Sequence, residues 1–199
     1  MDKVYKGIRA DDNFYFKIRS SLLRRERKSM MNYAVIKPHD VANGPGVRVS
    51  LFVSGCPHRC PGCFNEETWD EAYGTPYTTE TEEEILNALS LSYIKGFSLL
   101  GGEPFVPDHQ KALLPLMKKI KETMPQKTVW AYSGYTWESL PEQTLLPYLD
   151  VLVDGPFIEA QKDLNLRFRG SGNQRLIDVQ KSLKEGKVVL WRDPNIEEE

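Results

Sequence analysis

Cysteine is scarce in this sequence. Only three occur among 199 residues, all within Cys56-Pro-His-Arg-Cys60-Pro-Gly-Cys63. An odd number packed into one short stretch argues against a framework of secreted disulfides. Closed zinc and iron–sulfur sites usually take a fourth protein ligand, and there is no fourth cysteine to supply it. Long apolar runs are missing, so no segment reads as a membrane-spanning helix. The first residues lack the apolar centre of a secretory signal. Neither sign of charge is in excess: 26 Lys and Arg against 28 Asp and Glu leave a net charge of −2. That balance gives no global pull toward nucleic acid or membrane. Internal repeats are absent too. A cytoplasmic globular protein is expected, with neither nucleic acid nor membrane as partner.

What is present is concentrated. The spacing Cys-x-x-x-Cys-x-x-Cys puts three soft, anionic ligands on one loop, the pattern of a metal site. Two readings follow from spacing alone. One is a structural zinc site completed by His58 or another residue. The other is a four-iron cluster whose fourth iron lacks a protein ligand and is open to chemistry. His39 and His109 have no ligand partners nearby in sequence and read as loop residues.

Strand and helix signals alternate after residue 46. Val47 to Val53 reads as a buried strand that runs directly into the cysteine loop. Thr79-x-x-Glu82 is a capping-box signature, followed by Ile85, Leu86, Leu89 and Tyr93 on one helical face. Phe97 to Leu100 is the next strand, ended by Gly101-Gly102. Leu113 to Met124 reads as a helix that Pro115 must start or kink. Thr128 to Tyr132 is a strand ended by Ser133-Gly134. Trp137 to Leu149 reads as helix broken by Pro141 and Pro147. Val151 to Val153 is a strand ended by Asp154-Gly155. Gln174 to Val179, a short helix and Lys187 to Trp191 complete the pattern. This order predicts an α/β fold, mostly parallel strands with outer helices, and at this length an open, partial (β/α) barrel. Ligands in such folds sit beyond the carboxyl ends of the strands, so the Gly- and Cys-bearing loops are expected on one rim. Residues 31–192 form that domain. Residues 1–30 are a basic extension in which Phe14, Ile18 and Leu22 recur at helical spacing, and translation starting at Met30 or Met31 is an expectation. Residues 193–199 are an acidic tail.

The motifs carry a resemblance. Asn43-Gly-Pro-Gly-Val-Arg48, Leu51-Phe-Val-Ser-Gly-Cys56 and Cys60-Pro-Gly-Cys63-Phe-Asn65 resemble the cluster loop of the radical S-adenosylmethionine superfamily. Within it they resemble the activating enzymes of glycyl-radical enzymes, closest to the branch serving the anaerobic (class III) ribonucleoside-triphosphate reductases. The likeness runs from about Met31 to Val188. It implies the radical-enzyme type of partial barrel. It implies one 4Fe-4S cluster on Cys56, Cys60 and Cys63, with the methionine half of S-adenosylmethionine chelating the fourth iron. Reductive cleavage of that cofactor to a 5′-deoxyadenosyl radical would then remove hydrogen from a glycine of a glycyl-radical reductase, the protein substrate. Flavodoxin or ferredoxin is the implied reductant. A small radical enzyme acting on a free metabolite, such as a deazapurine-forming enzyme, and a non-enzymatic zinc or iron–sulfur module are the alternatives.

Other residues take roles by the same resemblance. Phe64 lies near the adenine or simply packs. Gly62 lets the backbone approach closely. Gly101-Gly102-Glu103-Pro104 matches the second signature. Its carbonyls and the Glu103 carboxylate would receive the cofactor's ammonium, unless Glu103 only shapes the loop. A side chain at Gly102 is expected to crowd that ammonium while leaving the cluster in place. Ser133 and Asp154 either reach the cavity or serve as turn residues. Arg169, in a run resembling Arg-Gly-Ser-x-Asn-Gln, either neutralises the methionine carboxylate, contacts the partner or makes a surface ion pair. Arg48 is expected to help position the partner segment. No side-chain acid or base is required.

Overall fold

The structure, a computed structural model, describes residues 31–193. The basic extension 1–30, with its proposed helix and start sites, and tail residues 194–199 lie outside the described residues.

Seven strands form one sheet: β1 (Asn32–Asp40), β2 (Val47–Val53), β3 (Thr75–Pro76), β4 (Ile94–Gly101), β5 (Thr128–Tyr132), β6 (Val151–Asp154) and β7 (Arg175–Asp178). Their spatial order is β3-β1-β2-β4-β5-β6-β7. The central four, β2-β4-β5-β6, are parallel, while β1, β3 and β7 run antiparallel to their neighbours. Among the described residues three α-helices accompany the sheet: α1 (Thr79–Leu89), α2 (Pro107–Thr123) and α3 (Val179–Glu185).

Alternation along the strands explains the two faces of the sheet. Val49, Leu51 and Val53 of β2, Phe97 and Leu99 of β4, and Val129 and Ala131 of β5 pack with Ile85 and Leu89 of α1 and Leu113, Met117 and Ile120 of α2. The intervening residues face the other way. There Trp130 meets Phe168 and Trp191 edge-on, at ring separations of 5.3 and 4.9 Å. The parallel strands advance in one direction through the sheet, so successive crossovers of common hand fall on the same face. Among the described residues no α-helix packs on the opposite face, which leads to the site.

Several local expectations need correction. The sequence showed no strand before Val47, yet β1 is nine residues long, mostly partly or fully exposed, and irregular in its pairing with β2. The α1 capping box is one residue earlier: the Thr78 N–H donates to Thr81 Oγ1 at 3.1 Å. Tyr93 lies beyond α1, exposed and hydrogen-bonded to His39 of β1 at 2.8 Å. Helix α2 begins at Pro107, where a missing N–H costs nothing, and carries Pro115 inside it. Residues 137–149 form two short 3₁₀ turns, Trp137–Ser139 and Leu146–Tyr148, instead of an α-helix. Lys187 to Trp191 supplies only a bridge between Leu190 and Ile177. Arg48 is fully buried beneath the sheet's free face, not displayed to a partner.

Candidate active site

The carboxyl ends of the four parallel strands carry the four suspected loops on one rim. Cys56 follows β2, Gly101-Gly102 ends β4, Ser133-Gly134 follows β5 and Gly155 follows β6. A cavity of about 420 Å³ opens there, with Cys56, Cys60 and Cys63 in its wall.

The cysteine loop is compact because three of its residues take left-handed backbone conformations. Gly55 has φ +99°, Arg59 φ +47° and Gly62 φ +68°. Glycine reaches that region without steric cost, whereas Arg59 is an exception held by its neighbours. The Cys56 N–H donates to the Trp69 carbonyl at 3.2 Å, and the Cys63 N–H to the Cys60 carbonyl at 3.1 Å. All three thiols are half-buried. Burial pushes the Cys56 and Cys60 thiols up, while main-chain N–H groups of His58 and Arg59 at Cys56, and of Phe157 at Cys60, favour the thiolates. A metal must displace protons from such thiols, and these N–H groups ease that exchange.

Among the described residues, no three Cys, His, Asp or Glu side chains converge on a point that one metal ion would fill. A mononuclear zinc site needs such convergence, with bonds of about 2.0–2.3 Å. Thiolates that each meet a different iron do not. His58, the sequence's candidate fourth zinc ligand, directs Nε2 to Glu103 Oε2 at 2.9 Å.

Gly101 and Gly102 line the cavity, but Glu103 does not. Glu103 is fully buried, and its carboxylate is occupied. Oε1 accepts from the Phe105 N–H at 2.9 Å and Ser133 Oγ at 3.0 Å. Oε2 accepts from the Gly134 N–H at 2.8 Å and meets His58. Of the two roles open to Glu103, shaping the loop is the one this geometry supports. The loop's main chain is fastened as well: the Gly102 N–H donates to Val53 O at 2.7 Å and the Glu103 N–H to Gly55 O at 2.8 Å. His109 Nδ1 meets the Glu103 carbonyl at 2.7 Å. His109 is therefore a buried residue of α2, and His39 belongs to β1; neither is a loop residue.

The remaining candidates divide. Phe64, Ser133 and Arg169 line the cavity. Phe64 stays half-exposed, 5.3 Å from the Phe157 ring. Arg169 Nη1 donates to the Gln174 carbonyl at 2.7 Å, which orients the guanidinium without neutralising it. Gly62 lies outside the wall, and a side chain there would meet Glu159. Asp154 also lies outside it. Its carboxylate receives the Trp137 N–H at 2.6 Å and a bidentate clamp from Arg175, which also grips Glu138 at 2.8 Å.

The sequence reading missed Tyr132. Its ring lines the cavity, and its hydroxyl is buried without a hydrogen-bond partner. Burial raises its pKa well above the usual phenol range, so it stays protonated. Strand parity was the available signal, because Phe52 and Leu100 are paired neighbours on the same wall. The group this cavity must fit is soft and metallic at one end and polar along one side. Three thiols and a cationic guanidinium in one wall match that chemistry.

Comparison with known proteins agrees with this geometry. A family model described as a 4Fe-4S single cluster domain matches residues 42–177. The anaerobic ribonucleoside-triphosphate reductase-activating protein of Vibrio cholerae is 49% identical over 148 residues, covering 72% of this chain and 96% of its own length. The proteins of the same name from Escherichia coli K12 and phage T4 are 43% and 42% identical over 148 residues, covering 96% and 93% of their lengths and 72% and 73% of this chain. With likeness of that depth over nearly the whole of each relative, this chain belongs to the family of anaerobic ribonucleoside-triphosphate reductase-activating proteins.

Proposed function

We propose that this chain activates an anaerobic ribonucleoside-triphosphate reductase by installing a radical on a glycine of that protein, using a 4Fe-4S cluster and S-adenosylmethionine. The observation that carries the reading is the meeting of all three cysteines with the Gly101-Gly102 loop in one cavity. Cys56, Cys60 and Cys63 hold the cluster, and no fourth protein thiolate is available to close it. Gly101 and Gly102 present main chain to the cofactor's ammonium group. Arg169 faces its carboxylate, and Phe64 offers a ring to its adenine. Tyr132 lends its ring to the cavity wall. Ser133 and Glu103 hold the loops in place, while Gly62 and Asp154 serve the scaffold.

When bound, cluster and cofactor together supply the one-electron, hydrogen-removing chemistry. The chain's own work is to bind, orient and exclude water. No side-chain proton transfer is needed for that chemistry, and the buried Glu103 carboxylate, behind the cavity wall, is fully engaged in holding the loops. The single-faced crossovers, and an inner face that carries no α-helix among the described residues, suit the open, partial barrel expected of such enzymes, through which a glycine-bearing loop reaches the cavity. A flavodoxin or ferredoxin of the cytoplasm is the fitting electron donor. Among the described residues, no helix is long and apolar enough to cross a membrane.

The test is anaerobic reconstitution followed by incubation with the reductase. Wild-type protein should be brown, cleave S-adenosylmethionine with dithionite, and leave a glycyl signal in the electron paramagnetic resonance spectrum of the reductase. Cys60→Ala should lose the cluster and both activities. Cofactor cleavage retained in that variant would overturn the ligand assignment, and an iron-free wild type would overturn the function.

A further inference from the structure

His58 sits inside the cysteine loop, two residues after Cys56 and two before Cys60, yet its side chain does not serve that loop. It crosses to Glu103, 45 residues away, at 2.9 Å. The ring has a dedicated seat. A Cβ placed on Gly134 would lie 2.3 Å from His58 Cδ2 and 2.7 Å from Nε2, so only glycine admits the ring there. Tyr135 covers it edge-on, with ring centroids 4.4 Å apart. The Gly134 N–H and Ser133 Oγ bind the same Glu103 carboxylate that His58 meets. Loops from β2, β4 and β5 thus converge on one fully buried carboxylate, and His58 is the only contribution of the cysteine loop's side chains to it.

We infer that His58 is a positioning residue that latches the cluster loop to the Gly101–Glu103 loop and so fixes the open iron against the site of the cofactor's amino and carboxylate groups. The inference rests on the proposed function. It follows from distance and connectivity. The cysteine loop is otherwise tied through main chain, chiefly at Cys56 to Trp69 and at Gly55 to Glu103 and Thr68. Those bonds hold the loop's entry. His58 lies between the first and second cysteines, and its bond reaches the carboxylate at the centre of the neighbouring loops. Chelation by a small molecule requires cluster and loop in one register, and misplacement by about 1 Å is enough to forfeit much of the benefit. The Ser133-Gly134-Tyr135 segment, which suggested a direct cofactor contact, acts mainly as the latch's keeper.

The test uses full-length protein reconstituted without air, with iron content and the reduced cluster's electron paramagnetic resonance spectrum titrated by S-adenosylmethionine. His58→Ala should keep the wild-type iron content, because the three thiols remain. It should need about tenfold more S-adenosylmethionine to perturb the spectrum, the effect of losing one part-buried charge-assisted hydrogen bond. His58→Gln, which restores a donor at similar reach, should recover most of that loss. Gly134→Ala, which drives the ring from its seat, should reproduce the His58→Ala shift without touching a cysteine. An unshifted titration in His58→Ala overturns the latch, as does iron loss comparable to Cys60→Ala, which would make His58 part of the cluster's own support. If the wild-type spectrum itself ignores S-adenosylmethionine, the proposed function fails instead.

Discussion

A side chain added at Gly102 would lie 2.4 Å from the Gly55 carbonyl oxygen, and one at Gly101 would lie 2.7 Å from the main chain of Val53. The second signature's glycines are therefore demanded by close passage of β4's end across β2's end, with Gly101 also at φ +105°. This changes what a substitution should do. A Gly102 side chain presses on the residue immediately before Cys56, not first on a bound ammonium. Gly102→Ala should cost about 1–3 kcal/mol in overpacking and shift the cysteine loop. Anaerobically reconstituted Gly102→Ala should hold clearly less iron than wild type. A full complement of iron together with failed cofactor binding would restore the simpler view that the glycine only clears space for the ligand. At this scale the sequence was generous about which residues matter and sparing about why. Cys56, Cys60, Cys63, Gly101 and Gly102 were legible as motif. The Glu103 hub was not, because its partners stand 30 and 45 residues away and none is distinctive alone.

Elements are pinned together by side chains whose purpose a linear reading cannot see, and Arg48 is the clearest. It lies at the start of β2, at the far end of that strand from the cysteine loop. Its Nε donates to Ser98 Oγ at 2.7 Å, and Nη2 donates to the Phe97 carbonyl at 2.7 Å and the Thr128 carbonyl at 3.0 Å. One residue thereby joins β2, β4 and the start of β5. Gly44 and Gly96 leave room for it, since a Cβ on either would sit 2.9 Å from the guanidinium arm. The Asn43-Gly-Pro-Gly turn thus folds around a buried cation instead of offering one to a partner. Burial lowers its pKa to about 10, so it remains charged at neutral pH. Arg48→Met should destabilise the fold by about 3–6 kcal/mol, two buried charge-assisted hydrogen bonds at roughly 1.5–3 each. Denaturant unfolding measures this, and a loss below about 1 kcal/mol would show that the carbonyls find other donors. The parallel strands were readable because they are buried on both faces and so appear as apolar runs. Strand β1 escaped notice because most of its side chains are partly or fully exposed and Pro38 interrupts it. The direction of β7 was unreadable because pairing sense is set by the connection, not by composition.

Across the whole molecule, the core and the chemistry occupy different places. The main apolar core lies between the sheet and its helices, and none of the three cysteines belongs to it. They are half-exposed on a loop above the strand ends. This separation predicts how the protein responds to losing its metal. In small metal-dependent domains the binding energy is the folding energy, and removing the metal unfolds the chain. Here the sheet brings its own buried strands and needs no metal to form. Chelation of iron, or Cys60→Ala, should leave far-UV circular dichroism and a single cooperative unfolding transition intact. The midpoint should fall only by the linkage owed to a ligand that binds the native state. Amide exchange should quicken in residues 56–65 and in the loop 155–173, whose Phe157 packs on Phe64 and whose main chain reaches Cys60. Strands β2, β4 and β5 should keep their protection, because their hydrogen bonds lie within the sheet and beneath the core. Global unfolding on iron removal would contradict the separation, because the cluster would then be holding the sheet together.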